Sequence, residues 1–272
     1  MSLSRMRLPV LCLGLILPGC ATMRGDLRHA GGDLAGAAVH EVPPHTPGQW
    51  AYLGGLAAAS GALESRKEDL RRQVLQSGLA RNSGWTDVGD TLGRSRTTEI
   101  AAATFYAGGL LADLPRTRET GLLLGESLLA AQTTTGLLKF VFSEERPQQG
   151  GTLRYFHAGG TSASVHVTNA MVLARVLDHQ LSGAVEGRTA RALIRIGLYS
   201  IPAVTGWQRL RSDQHYLWNV VLGGGASLYM TNAVLRRHDR SADHAEGRLP
   251  AFELAVVPAR GRGGALLLVW RR

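Results

Sequence analysis

Cysteine and lysine are both scarce in this sequence. The two cysteines, Cys12 and Cys20, lie within the first 20 of the 272 residues. The rest of the chain therefore has neither a disulfide framework nor a cysteine-based metal site. Lysine occurs only at Lys67 and Lys139, and arginine supplies the other basic side chains. Lys139 needs an explanation because it lies inside an apolar segment that is predicted to be helical.

Long basic runs are also absent. No run of Lys or Arg exceeds two residues, and no basic patch is interleaved with aromatic side chains, which argues against nucleic acid as a partner. The formal net charge of +9 favours anionic partners instead, such as phosphate esters, acidic lipid headgroups or lipopolysaccharide. With 44% apolar residues and 34 glycines, the chain can form one large domain with a sizeable core.

The N-terminal residues have the pattern of an export signal. Two arginines precede the apolar run from Leu8 to Leu17, which is followed by Pro18-Gly19-Cys20. This pattern resembles a bacterial lipoprotein leader, in which residues 1–19 are a signal peptide and Cys20 is lipidated. Ala21, rather than Asp, follows the cysteine, a pattern that resembles that of lipoproteins sent to the outer membrane. This resemblance predicts a periplasmic domain anchored by lipid. Ordinary cleavage and an uncleaved anchor are the alternatives.

The remaining chain divides into a tether at 20–48, a helical domain at 49–240 and a tail at 241–272. The tether is predicted from its Gly, Ala, His and Pro content. In the tail, Phe252–Pro258 and Ala265–Trp270 predict a β-hairpin. Residues 81–95 are predicted to be a loop, and helices are predicted over Gln49 to about Ala80, Glu99–Leu114, Glu119–Phe142, Val165–Leu181, Arg188–Trp207 and Asp213–Arg237.

Several of these helices reach about 20 residues, the length that crosses a membrane. Charged or polar side chains such as Glu126, Asp178 and Arg195 interrupt three of them. A soluble or membrane-docked bundle is therefore favoured over a polytopic membrane protein.

The first stretch with chemical potential ends the third predicted helix. Lys139 and Arg146 are seven residues apart, about two helical turns, so both can reach the same side. Pro147 excludes helical geometry at Arg146. By itself, the pair is equally consistent with two cations that stabilise a helix C-terminus.

The second stretch is a Gly/Ser loop, Gly159–Ser164, that leads into a helix at Val165 and His166. Such a loop can offer backbone N–H groups and hydroxyls to an anion. A flexible loop that carries an incidental histidine would show the same pattern.

The third stretch runs from Gln208 to Asn219. It places Arg209 on a loop before a helix whose N-cap is predicted at Ser212 or Asp213. His215 and Asn219 are four residues apart and share one helix face, so the imidazole can meet the amide. A cation, an imidazole and a helix N-terminus suit a bound phosphate, although a histidine near a helix start is often only a surface or capping residue.

Taken in order, Lys139-x6-Arg146-Pro147, Ser164-x-His166 and Arg209-x5-His215-x3-Asn219 resemble the three motifs of the type 2 phosphatidic acid phosphatase/vanadium haloperoxidase superfamily. Those motifs are Lys-x6-Arg-Pro, Pro-Ser-Gly-His and Ser-Arg-x5-His-x3-Asp. The resemblance covers about residues 95–235. It implies an all-α bundle of about six helices, here with a short C-terminal β-hairpin, and a metal-independent phosphatase without a cofactor. Its substrate would be a phosphomonoester or pyrophosphate, either of a lipid or of a soluble compound.

The resemblance also implies a role for each matching residue. His215 would attack phosphorus and form a phosphohistidine, and His166 would protonate the leaving alcohol and then activate water. Fixed cations would replace the electrostatic role that a metal ion has elsewhere. The groups implied to bind the phosphoryl oxygens are Lys139, Arg146, Arg209, the hydroxyl of Ser164 and the N–H of Val165.

Four positions depart from the family pattern. Ala163 and Gln208 are tolerable replacements for Pro and Ser. Val165 replaces Gly and cannot easily take a positive φ, although it keeps its N–H. Asn219 replaces the Asp that orients the nucleophilic histidine, so its Oδ1 can accept from His215 Nδ1 but brings no negative charge.

Asn219 predicts reduced activity, and Val165 and Asn219 together keep a second hypothesis open. It is a catalytically impaired relative that binds phosphate or anionic lipid headgroups in the cell envelope. A vanadate-dependent haloperoxidase is a third reading. The pattern does not indicate the substrate or the oligomeric state.

Overall fold

The computed structural model describes residues 7–77, 84–244, 252–259 and 263–270. Within these residues the chain forms nine α-helices and two small antiparallel sheets, which confirms the predicted all-α fold with a C-terminal hairpin. A π-helical turn follows α1 at Ala37–Glu41, and a 3-10 turn occupies Pro147–Gln149. The strands are β1 Phe142–Glu144, β2 Leu153–Tyr155, β3 Phe252–Ala259 and β4 Gly263–Trp270. The helices are α1 Arg7–Gly36, α2 Pro47–Glu64, α3 Lys67–Gln76, α4 Gly84–Gly93, α5 Ser95–Leu111, α6 Pro115–Val141, α7 Val165–Ser182, α8 Arg188–Arg211 and α9 Leu217–His244.

Helix α6 lies at the centre of the bundle and packs on α5, α7 and α9. Its apolar side chains enter a core whose buried members include Leu123, Leu124, Val172, Val176 and Val234. Pro115 occupies the first turn of α6, where its missing N–H costs nothing. The same proline marks the boundary that was predicted between the second and third helices.

A short hairpin that was not predicted connects α6 to α7. Strand β1 pairs antiparallel with β2, with Phe142 opposite Tyr155 and Glu144 opposite Leu153. Arg146 has φ −62° and ψ 151°, so the prediction that Pro147 keeps it out of helical geometry is confirmed. Lys139 therefore lies in the last turn of α6 and Arg146 beyond a strand, rather than on two turns of one helix.

The predicted loop at 81–95 is wrong, because residues Gly84–Gly93 form α4. Its glycines suggested a turn, but they serve close packing against α7 and α8. A Cβ on Gly89 would lie 3.1 Å from the carbonyl oxygen of Val204, and a Cβ on Gly93 would lie 2.7 Å from that of His166. The small residues bring the backbone of α4 against the start of α7.

Residues 22–41 of the predicted tether are helical and contact α6 and α9. Ala37 joins the core, and Glu41 is fully buried against Arg236 and Arg240 of α9. The other acidic side chains of the segment also pair with cations: Asp26 lies 3.3 Å from Arg118 and Asp33 lies 3.7 Å from Arg237. Ala37 and these ion pairs therefore attach the segment to the bundle, whereas composition alone suggested a flexible linker.

Residues 1–6 of the predicted signal peptide lie outside the described residues. Cleavage, lipidation of Cys20 and the domain boundaries stay predictions. Among the helices that the structure describes, none combines the length and apolarity required to cross a membrane.

Candidate active site

Backbone hydrogen bonds join the three predicted stretches at the N-terminus of α7. The N–H of Thr161 donates to the carbonyl of Glu144 at 2.8 Å, which ties the Gly/Ser loop to β1. The N–H of Ser164 donates to the carbonyl of Asn219 at 3.1 Å, which ties the same loop to α9. The hydroxyl of Ser162 reaches the carbonyl of Leu138 at 3.1 Å. Segments that are distant in sequence are thereby held around one end of α7.

Three cations share this end of the bundle. Burial lowers the pKa of the Lys139 ammonium, and the positive charges of Arg146 and Arg209 lower it further. Burial likewise lowers the pKa of Arg209, with a further contribution from Arg146. Lys139 forms no hydrogen bond or ion pair with the residues that the structure describes. The lowered pKa values of Lys139 and Arg209 reflect an excess of positive charge, which an anion bound at this end of the bundle would neutralise.

The N-terminus of α7 adds unpaired donors to these cations. Ser164 precedes the helix and is fully buried, yet its Oγ has no hydrogen-bond partner among the described residues. Val165 is the first helical residue and is not among the described residues with a positive φ. Valine is thus compatible with this backbone, and its N–H belongs to the first turn, where helices leave donors unpaired.

Two histidines complete the arrangement. His166 lies in the first turn of α7 with 27% of its side chain exposed. Its pKa is lowered to about 4, first by burial and then by the charge of Arg209. His215 is only 8% exposed, and burial, Arg209, Lys139 and His166 together hold its pKa well below its ordinary value. Both imidazoles are therefore neutral at neutral pH while no anion is bound.

Asp90 of α4 is a site residue that the sequence analysis missed. Its Oδ1 accepts from Nη1 of Arg209 at 3.0 Å and lies 3.5 Å from Nε2 of His166. Burial would raise the pKa of this carboxyl, but the Arg94 guanidinium lowers it, as do His166 and Arg209 to a smaller extent. No motif marks Asp90, and its helix was predicted to be a loop, so the sequence offered no signal for it.

The start of α9 differs from its prediction in three respects. Arg209 lies in the last turn of α8 rather than on a loop, and α9 begins at Leu217, so neither Ser212 nor Asp213 is its N-cap. Asp213 instead has φ 56°, and its carboxylate accepts from Nε and Nη2 of Arg71 at 2.7 and 2.8 Å.

The expected bond between Asn219 and His215 is not formed. Oδ1 of Asn219 accepts from the N–H of Tyr216 at 2.8 Å, and its Nδ2 donates to Glu144 and to the carbonyl of Ser162. Nδ1 of His215 has no hydrogen-bond partner among the described residues. His215 precedes the helix instead of sharing a helical face with Asn219, which explains why the i,i+4 argument fails here.

An apolar cavity of about 460 Å³ opens beside the site. Leu138, which precedes Lys139, and Trp218, which precedes Asn219, both line it. Its other walls come from α2, α6, α9 and the β1–β2 hairpin, and they include Leu56, Phe142, Leu153 and Leu222. Among the described residues there is no group of three or more His, Cys, Asp or Glu side chains that could hold a metal ion.

Comparison with protein-family models gives no match, and neither does comparison with curated protein sequences. Among solved structures, the chain is similar to a transmembrane PAP2 type phosphatidylglycerolphosphate phosphatase from Bacillus subtilis. The similarity has a TM-score of 0.51 at 16% sequence identity and covers 73% of this chain and 97% of that one. A likeness at this identity shows a shared fold, and the fold is the PAP2-type bundle that the motif order predicts.

Proposed function

We propose that this PAP2-type fold carries a metal-independent phosphatase that hydrolyses a phosphomonoester or pyrophosphate through a phosphohistidine intermediate. The observation that carries the proposal is the convergence of two neutral histidines and three cations on a helix N-terminus whose buried Ser164 hydroxyl is unpaired. That combination offers charge neutralisation, oriented donors and a nucleophile at one place.

In the proposed complex the phosphoryl oxygens lie among Lys139, Arg146 and Arg209. The Ser164 hydroxyl and the N–H of Val165 complete the set of donors. Because these groups are fixed by the fold before the substrate arrives, they stabilise the charge of the transition state without reorganising. The phosphate dianion in turn raises the pKa values of both histidines, since it is an opposite charge placed close to them.

His215 is proposed to be the nucleophile, because its low pKa leaves the ring neutral. A ring nitrogen forms a bond to phosphorus while the bond between phosphorus and the leaving oxygen breaks. His166 donates its proton to that oxygen. In the second half of the cycle His166 takes a proton from water, whose oxygen attacks phosphorus and releases phosphate from His215.

The apolar cavity supports a lipid phosphate as the substrate. Its volume of about 460 Å³ is in the range of small-molecule pockets, and it begins one residue away from both Lys139 and Asn219. An acyl or prenyl tail would fill it while the headgroup phosphate reaches the cations. The proposal places the domain at the periplasmic face of the outer membrane, anchored through Cys20. Labelling with a fatty-acid analogue that is lost in Cys20→Ala would test the anchor.

Phosphate release in the presence of EDTA tests the enzymatic proposal directly. We expect wild type to hydrolyse long-chain lipid phosphates faster than short-chain esters with the same headgroup. His215→Ala should lower kcat/KM by about 10³-fold or more, because it removes the nucleophile. His29→Ala, at an exposed position on α1, is the matched control and should keep full activity. Undiminished hydrolysis by His215→Ala would sink the proposal.

The impaired relative that binds phosphate without turnover is the second candidate function. The observation that favours it is the missing contact between Asn219 and His215. Saturable binding of inorganic phosphate to wild type by calorimetry, weakened in Arg209→Ala, together with no turnover of any phosphate ester, would establish it in place of the enzyme.

A further inference from the structure

Glu144 is fully buried, lies between Lys139 and Arg146 in the sequence, and has no role in the proposed reaction. Both of its carboxylate oxygens are engaged. Oε1 accepts from Nζ of Lys67 at 2.8 Å, and Oε2 accepts from Nδ2 of Asn219 at 2.9 Å. Lys67 belongs to α3, so this carboxylate joins β1, α3 and α9.

The same two residues hold the loop that carries the second motif. The carbonyl of Glu144 accepts from the N–H and the hydroxyl of Thr161 at 2.8 and 2.9 Å. Asn219 donates to the carbonyl of Ser162 at 2.8 Å and accepts from the N–H of Ser164 through its own carbonyl. Glu144 and Asn219 therefore fix the segment from Thr161 to Ser164 at both ends.

This loop also acts on His215. The carbonyl of Thr161 raises the pKa of His215 against the effect of burial, and Oδ1 of Asn219 accepts from the N–H of Tyr216 at 2.8 Å, which fixes the backbone next to His215. A carbonyl close to a buried imidazole is an acceptor for a ring N–H and can select one tautomer. The main-chain carbonyl of Glu144 holds Thr161, and the Glu144 carboxylate acts on the loop through Nδ2 of Asn219, which also donates to the carbonyl of Ser162.

The hydrogen bonds explain why residue 219 is Asn. Its amide nitrogen donates to Glu144 at 2.9 Å and to the carbonyl of Ser162 at 2.8 Å. An Asp side chain would replace that donor with an oxygen that faces a buried carboxylate and a carbonyl. Two carboxylates at such a distance cannot both stay ionised, so one would have to take up a proton.

We propose that Glu144 and Asn219 are a matched pair of positioning residues that orient His215 through the backbone of Tyr216 and the loop from Thr161 to Ser164. The family pattern has an Asp at position 219 that would contact the histidine. In this chain the carboxylate belongs to Glu144 instead, and it acts on His215 indirectly, through Asn219 and the loop. The kinetic consequence of this pairing rests on the proposed function, whereas its effects on stability and on the ring of His215 do not.

A double-mutant cycle tests the pairing. We expect Asn219→Asp to lower Tm by about 5 °C or more, because it brings two buried carboxylates together. It should also lower kcat at least about tenfold while KM changes less, since His215 rather than the cations is displaced. In a Glu144→Gln background the same change should cost less, because Gln can donate to the new carboxylate. Glu145→Gln, a change in the neighbouring partly exposed residue, is the control and should alter neither quantity.

Nitrogen NMR of the His215 ring reads the pairing without turnover. We expect one tautomer in wild type and in Glu145→Gln, and a changed tautomer ratio in Glu144→Gln and in Asn219→Asp. Unchanged ring signals in both, or an Asn219→Asp variant with higher kcat and unaltered Tm, would overturn the pairing. Coupled effects on Tm and on the ring in a protein with no phosphatase activity would support the pairing and defeat only the proposed function.

Discussion

Asp90 is the acidic side chain that contacts both a cation and a histidine of the candidate active site. It lies 3.0 Å from Arg209 and 3.5 Å from His166, and its negative charge raises the pKa of that histidine against burial and Arg209. In the proposed reaction His166 must be protonated to act on the leaving oxygen. Asp90 therefore extends to higher pH the range in which the proposed general acid is protonated.

Asp90→Asn tests this role through the pH dependence of kcat/KM. Loss of the carboxylate charge lowers the pKa of His166, so the alkaline limb of the profile should move to lower pH, on the order of one unit. Asp87→Asn, an exposed position on the same helix, should leave the limb in place. If the alkaline limb of the Asp90→Asn profile stays at the same pH while kcat/KM falls equally at every pH, Asp90 contributes to folding and not to the pKa of His166.

At the scale of elements, the close approach of α4 to α7 and α8 decides where Asp90 lies. Gly89 meets the backbone of Val204 and Thr205, and the hydroxyl of Thr205 donates to the carbonyl of Gly89 at 2.9 Å. Gly93 meets the backbone of His166. Side chains at these positions would push α4 outward and separate Asp90 from the histidine.

Gly93→Ala tests that packing. Its Cβ would lie 2.7 Å from the carbonyl oxygen of His166 and 2.8 Å from Cγ2 of Thr205, so α4 must shift. We expect a loss of about 1–3 kcal/mol in the free energy of unfolding, measured with urea, together with lower kcat. Gly125→Ala on α6 meets no atom within 4 Å and should stabilise the protein by about 0.5–1 kcal/mol. Equal stability in the two variants would contradict the packing argument.

At the scale of the whole molecule, a second buried polar cluster lies about 20 Å from Lys139 along α6, at the helical rise of about 1.5 Å per residue. Glu126 is 6% exposed and lacks a partner at Oε2 among the described residues. Burial raises its pKa to about 7, and the charge of Asp33 adds to this effect while His238 opposes it. The cluster joins α6 to the N-terminal helix and to α9.

The free energy of unfolding should therefore decrease as the pH rises, because of Glu126. The folded pKa of about 7 exceeds the ordinary value of 4.5, so the stabilisation by the protonated carboxyl is complete below pH 4.5 and is lost as pH rises through 7. Glu126→Gln should remove this loss. Its free energy of unfolding should therefore gain on the order of 2 kcal/mol over that of wild type when the pH rises from 4.5 to 8. Glu99→Gln, at an exposed position, is the control. Its free energy of unfolding, measured with urea, should change with pH between these values by the same amount as that of wild type. If the free energy of unfolding of Glu126→Gln also changes with pH as that of wild type does, the Glu126 carboxyl is ionised in the folded protein.

Much of the helical framework follows from sequence because long apolar segments with Gly and Pro boundaries specify helices locally. The predicted starts of α7 at Val165 and of α8 at Arg188 agree with the structure. The motif spacings also selected residues that the fold brings within electrostatic range, among them Lys139, Arg209 and His215. Their chemical roles stay proposals that the His215→Ala experiment tests.

Only the tertiary structure shows which small residues pack against neighbouring helices and which polar side chains bond to one another. The segments at 22–41 and 84–93 are helical and contact neighbouring helices through residues such as Ala37, Gly89 and Gly93, and composition reports no such neighbour. Likewise, Asp90 reaches His166, and Asn219 reaches Glu144 instead of His215, through contacts between segments far apart along the chain. Local spacing determines which side chains share a helix face, whereas a hydrogen bond between segments depends on angstrom-scale packing that only the folded chain establishes.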